Sequence, residues 1–261
     1  MDAIKRSKRH GEILDLLRRQ GTCEISELAR YFGVSLETIR RDVKPLTRSG
    51  QLLKMHGAVA LPDRLGEVPF ERRMRENADA KQAIAEAFSR HVRDGDSLIL
   101  DTGTTTSYLA RALLGHRNLT VVTNSSDVAR TLATVNANRV YMAGGELRGD
   151  NGAAFGSAAI EFIGRFQVRY SVISIGAIDP KGGFMDVELA ERELARRALA
   201  CGETSVVISD HSKFGRSSLV KVADFEEIDL LVTDRPPPSR LARALAEAGV
   251  EVEIAAQAAD R

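Results

Sequence analysis

The chain has 261 residues, enough for one or two domains. Its 43 % apolar and 28 % charged residues suit a buried core, and no apolar run approaches the roughly 18 residues of a membrane span. The basic start MDAIKRSKRHGEI has no apolar segment behind it, so the sequence predicts no signal peptide and a cytoplasmic location. Cys23 and Cys201 are far apart and lack metal-ligand neighbours, which argues against a disulfide framework and a metal site; no cofactor is expected.

The net charge of +1 conceals an asymmetry. Residues 1–56 carry 12 Lys and Arg against 7 Asp and Glu, whereas the remainder carries 25 against 29. A basic module joined to an acidic body fits nucleic-acid contact at one end; a merely solvated basic face is the alternative.

Residues 4–20 place Ile4, Ile13, Leu14, Leu16 and Leu17 at helical spacing, and Gly21 ends the run. A second short helix over about 26–32 buries Ile25, Leu28, Ala29 and Phe32. Gly33-Val34-Ser35 is a tight turn, and Ser35 can cap a third helix that closes at Gly50. Two extended pieces around His56-Gly57, in QLLKMHGAVAL, read as a β-wing. Three helices and a wing describe a winged helix-turn-helix over residues 1–58. Residues 59–80 contain a polar, proline-bearing stretch and read as a linker leading into a helix.

Beyond the linker, residues 81–256 alternate strand and helix patterns. Strands are expected at 97–101, 119–123, 139–143, 171–176, 204–209, 229–233 and 250–254. Helices are expected at 82–93, 104–115, 125–135, 157–166, 187–201 and 239–248. Such alternation specifies right-handed crossovers and a mainly parallel sheet covered on both faces, a Rossmann-like α/β domain.

Two groups of residues carry candidate chemistry. In the third helix, Ser35, Glu37, Thr38, Arg40, Arg41 and Lys44 can meet DNA, joined by His56 of the wing. Arginine reads guanine bidentately for about 1–3 kcal/mol of discrimination. An arginine pair on a helix is otherwise a solvated face, and the helix-turn context decides between the two. The other group sits at strand carboxyl ends, where open α/β sheets bind ligands. Asp101 precedes Gly103, Thr104, Thr105 and Thr106 at a strand-to-helix junction suited to an anion; Asp101 itself suits hydroxyl groups. Such a segment taken alone can equally be a simple cap. Thr123 and Asn124, then Gly144, Gly145 and Glu146, then Gly176, and finally Asp210 and Lys213 end further strands on the same edge.

Arg9, Ile13 and Leu17, followed at fixed distance by Ser35 and Thr38-Ile39-Arg40-Arg41-Asp42-Val43, resemble the helix-turn-helix signature of the DeoR family of transcriptional repressors. LDTGTTT, VVTNS, AGGELRG, SDHSKFGR and VTDRPPP resemble its sensor domain, so the likeness runs from about residue 6 to 254. It implies operator contacts at Arg40 and Arg41, and a partner among basic side chains for Asp42. For the sensor it implies a fold related to ribose-5-phosphate isomerase and coenzyme A transferases. The ligand implied is a phosphorylated sugar or polyol that releases the protein from a carbohydrate operon.

Two departures from the family pattern stand out. Pro45 lies inside the third helix, so a kink or an end near Lys44 is expected, with a changed path toward Gly50. Arg196-Arg197 replaces the usual Lys-Arg pair, and Glu188, Glu191 and Arg196 can line the pocket or pair on the helix surface. Helix-turn-helix proteins use paired half-sites, which predicts a homo-oligomer, a dimer or tetramer. A sugar-phosphate isomerase with an accessory DNA module is the rival from another class; no isomerase-type carboxylate base is evident, so a non-enzyme is expected. The same residues would also serve an activator.

Overall fold

The computed structural model describes residues 9–17, 22–54, 58–60 and 70–256. The chain divides into two compact units, Met1–Val68 and Pro69–Arg261.

In the first unit, residues 9–17 form α1, followed by β1 (Thr22–Glu24), α2 (Ile25–Phe32), α3 (Leu36–Arg48), β2 (Leu53–Lys54) and β3 (Ala58–Ala60). The apolar stripes meet at Ile13, Leu17, Leu28, Ile39, Val43 and Leu46, closed from below by Leu52 and Val59. The wing is antiparallel, as its pattern suggested, but β1 adds a third strand by pairing Cys23 with Val59. Three residues are too few to reveal a strand by alternation, which is why β1 was not legible. His56 and the rest of the wing tip lie outside the described residues.

The second unit opens with α4 (Phe70–Arg75) and α5 (Ala78–Ser89). Then follow β4 (Ser97–Leu100), α6 (Thr104–Ala112), β5 (Thr120–Thr123), α7 (Ser126–Leu132), β6 (Arg139–Met142) and α8 (Ser157–Ile163). The chain continues through β7 (Val168–Ile173), β8 (Ala177–Asp179), β9 (Gly183–Asp186), α9 (Leu189–Leu199) and β10 (Gly202–Ile208). It ends with β11 (Val220–Ala223), β12 (Leu230–Thr233), α10 (Ser239–Glu247) and β13 (Glu251–Ile254).

Seven parallel strands run in the order β13-β12-β10-β7-β4-β5-β6. Inner strands such as SLIL, SVVI and LLVT are buried on both faces, and so read as continuous apolar runs. Leu98, Leu100, Val172 and Val206 pack under α5, α6 and α7. Ile99, Ile173, Val207 and Leu231 point to the other face, under α8, α9 and α10. Strand order reverses between β4 and β7: β5 and β6 extend one way, β10, β12 and β13 the other. That point is where open α/β sheets hold ligands.

A second, antiparallel sheet, β11-β9-β8, was not anticipated. Its segments AID, GFMD and VKVA are three or four residues long; β8 and β9 form a tight hairpin, Asp179 facing Gly183, and β11 joins β9 from a distant part of the sequence. Pairing, not local pattern, makes them strands.

Candidate functional site

In the first unit the exposed face of α3 carries the candidate contacts. Ser35 Oγ accepts the Thr38 N–H at 3.2 Å and shares a hydroxyl–hydroxyl bond of 2.9 Å with Thr38, an N-cap that fixes the start of the helix. Glu37, Arg40, Arg41 and Lys44 are exposed and Thr38 is half-buried, while Ile39, Val43 and Leu46 face the core. Asp42 is buried and its Oδ2 meets Arg9 Nε of α1 at 2.6 Å, so it clamps two helices together.

Pro45 does not end the helix near Lys44 as its chemistry suggested: α3 continues to Arg48, and Ser49 N–H bonds to Pro45 O at 2.9 Å. Leu46 stays in the core on one side and Pro45 is exposed on the other, so packing carries the helix past the lost donor.

In the second unit the switch point is built around Asp101. The residue is 7 % exposed, and both its carboxylate oxygens accept the Ser174 N–H at 3.1 Å, tying the end of β4 to the end of β7. Burial pushes its carboxyl well above the ordinary range; the Ser174 N–H opposes this, and the charges of Asp186 and Glu191 add to it. Gly103 opens α6 against the same strand. A β-carbon there would lie 1.8 Å from Ser174 Oγ and 2.8 Å from Ser174 Cβ, so any side chain at this position must displace Ser174. Thr104, Thr105 and Thr106 follow, all buried, and Thr106 Oγ1 donates to Gly103 O at 2.9 Å. Thr102 Oγ1 and Ser107 Oγ are buried without a hydrogen-bond partner among the described residues.

The second junction is mostly structural. Thr123 Oγ1 accepts the Ser125 N–H at 3.0 Å, and Asn124 Nδ2 donates to Ala154 O at 3.0 Å. At this junction Asn124 Oδ1 is left buried without a hydrogen-bond partner among the described residues. Gly144, Gly145 and Glu146 lie in the exposed loop that returns to Ala154. That loop delivers Arg148, a residue missed in the sequence although AGGELRG contains it. Its guanidinium meets Glu188 Oε2 and Glu191 Oε1, each at 2.8 Å, and lies 4.1 Å over the Phe155 ring. Glu188 and Glu191 therefore face this loop. Arg196 turns elsewhere, donating to Val222 O at 2.8 Å and to Glu227. Gly176 lets Asp186 approach: a β-carbon there would be 2.8 Å from Asp186 Oδ1.

The fourth junction supplies cations. Asp210 is buried, and its Oδ1 accepts the Ser212 N–H at 2.9 Å and Asn77 Nδ2 at 3.0 Å. Lys213 ends this turn and is half-buried. His211 Nδ1 is 2.7 Å from Asp234 Oδ2, so the VTD segment holds the turn from below. Lys81 of α5, also missed because it lay at the edge of the presumed linker, is buried and donates to Glu76 O at 2.6 Å and to Arg73 O. Burial lowers its ammonium to about 8; Asp210 opposes this, and Lys213 adds to it by repulsion. An acidic group (Asp101, Asp186, Glu191) and a basic group (Lys81, Lys213) thus share the strand-end edge, suited to hydroxyls and to an anion respectively.

The DeoR-like helix-turn-helix domain matches residues 9–64, and the DeoR C-terminal sensor domain matches residues 76–235. The chain belongs to the DeoR family. Among relatives of this DeoR-family protein, the glycerol-3-phosphate regulon repressor of Escherichia coli (strain K12) is 34 % identical over 251 residues, 96 % of this chain and 100 % of that one. The HTH-type transcriptional repressor CsqR of the same organism is 32 % identical over 244 residues, 94 % of each. Among solved structures, ribose 5-phosphate isomerase A from Methanocaldococcus jannaschii aligns with a TM-score of 0.38 and 14 % identity, over 53 % of this chain and 55 % of that one. The DeoR match agrees with the helix-turn-helix and parallel-sheet α/β architecture described above.

Proposed function

We propose that this DeoR-family protein is a DNA-binding transcriptional repressor of a carbohydrate or polyol operon, and that a phosphorylated sugar or polyol in the β4/β7 crevice releases it. The observation that carries the sensing half is Gly103 packed against Ser174 beside the buried Asp101, at the strand-order reversal. The first turn of α6 is then the seat for the phosphate, Lys213 its counter-charge, and Asp101 an acceptor for hydroxyls. The DNA half rests on the exposed Arg40, Arg41 and Lys44, carried by a capped helix. The names of the relatives, regulon and operon repressors, support the same reading.

The protein works by binding, not turnover, acts in the cytosol, and assembles as a dimer or tetramer that reads paired half-sites. Ligand-dependent release requires a different affinity in each state, typically about 1–3 kcal/mol.

The test is a mobility-shift screen of genomic fragments, with and without a panel of phosphorylated sugars and polyols. Arg40→Ala and Arg41→Ala are expected to abolish operator selection. Lys213→Ala is expected to keep DNA binding and lose release. Selected fragments whose affinity is the same with every phosphoester would remove the sensing half.

A further inference from the structure

The carbonyls that end α4 are held by side chains from elements that also build the crevice. Tyr108 Oη, on α6, donates to Met74 O at 3.1 Å. Lys81 Nζ donates to Glu76 O and Arg73 O. Asn77 occupies the N-cap position of α5, where its side chain would ordinarily bond that helix's first amides; it makes no such bond. Its amide instead reaches across 133 residues to Asp210, in the turn that carries Lys213. Asn77 keeps a left-handed backbone, φ 52°, at this junction.

The segment 73–77 is the last turn of α4 and the two residues that join it to α5, near the start of the second unit. It is fastened to α6, whose first turn is the phosphate seat, and to the 210–213 turn. Resting on the function proposed above, we infer that residues 73–77 are a strap through which the occupied crevice acts on the linker, with Asn77 and Tyr108 as its positioning residues.

The chemistry gives the direction. A phosphate dianion near Lys213 draws on the Lys81 ammonium, which the Arg73 and Glu76 carbonyls now share, and it repels the Asp210 carboxylate, which holds Asn77. Both effects loosen the strap. Coupling requires this difference between empty and filled states, since a ligand that treats both alike shifts nothing.

The test is hydrogen–deuterium exchange of the 70–77 segment in the full-length protein, with and without inorganic phosphate, alongside a thermal shift that reports phosphate binding. Tyr108→Phe deletes only the hydroxyl donor, and Asn77→Gly deletes the amide while tolerating the left-handed backbone. In the parent, phosphate is expected to speed exchange of the segment by about fivefold or more. In the double variant the segment exchanges quickly already and phosphate adds little, while the thermal shift persists. Unchanged or slowed exchange in the parent, with a thermal shift present, overturns the strap and leaves the crevice reading standing. A phosphate response in the double variant equal to the parent's also overturns the strap. No thermal shift in the parent takes down both.

Discussion

Replacing Gly103 by alanine tests the packing on which the crevice depends. The added β-carbon lies 2.8 Å from Ser174 Cβ and 1.8 Å from Ser174 Oγ. Carbon atoms prefer about 3.5–4.0 Å, so the first contact is short by about 1 Å. A rotamer change moves Oγ aside, but Ser174 Cβ is fixed to the backbone at the end of β7, and that backbone also donates to Asp101. The strand end must shift, at about 1–3 kcal/mol for overpacking. At roughly 2–4 °C per kcal/mol for a domain of this size, the melting temperature of the second unit should fall by about 2–12 °C. Thermal denaturation of three variants gives a graded answer. Gly103→Ala shows the full loss. Adding Ser174→Ala removes the hydroxyl clash and recovers part of it. Adding Ser174→Gly removes both clashes, keeps the N–H on Asp101, and recovers most of it. Additive losses, with no rescue by Ser174→Gly, would show that these two residues do not bear on each other and would refute the reasoning.

Two further outcomes follow from buried charges. Asp42→Ala strands Arg9, and loss of one partner of a buried pair is worth about 3–5 kcal/mol. Arg9 keeps 20 % of its side chain exposed, which places the loss at the low end of that range. Calorimetry should show the helix-turn-helix transition collapsing while that of the second unit stays; equal depression of both would refute it. For Lys81, the folded ammonium titrates at about 8 against an ordinary 10.5. The unfolded chain therefore binds more protons between those values, and stability relative to Lys81→Met should rise with pH across that window and be lowest below about 8. Denaturant titrations at a series of pH values measure the difference; a flat one would show that Lys81 is not desolvated.

Much of this architecture is local in origin. The apolar stripes of α1, α2 and α3, the Ser35 cap, and the doubly buried runs of the parallel strands each follow from residue spacing, because helix and strand periodicities differ and each buries its own set. Placement of Asp101, Gly103 and Lys213 at the strand-end edge followed from the same alternation, since each lies in the polar turn that follows an apolar run.

Other features have no local cause. β1 and β11 exist as strands only through pairing with remote segments, and the β8-β9 hairpin is too short for its alternation to show. Pro45 was expected to kink α3 or end it near Lys44, but the helix runs on to Arg48, with Val43 and Leu46 anchored in a core shared with α1, β1, α2 and β3. Ser174 matters because β7 lies beside β4, 73 residues away, and Arg148 because the loop after β6 folds onto Glu188 and Glu191. Asn77 carries the signature of a helix cap and spends its amide on Asp210 instead. Periodicity determines which face of an element is buried; which side chains meet at the carboxyl edge is decided by strand order, and strand order is a property of the folded sheet alone.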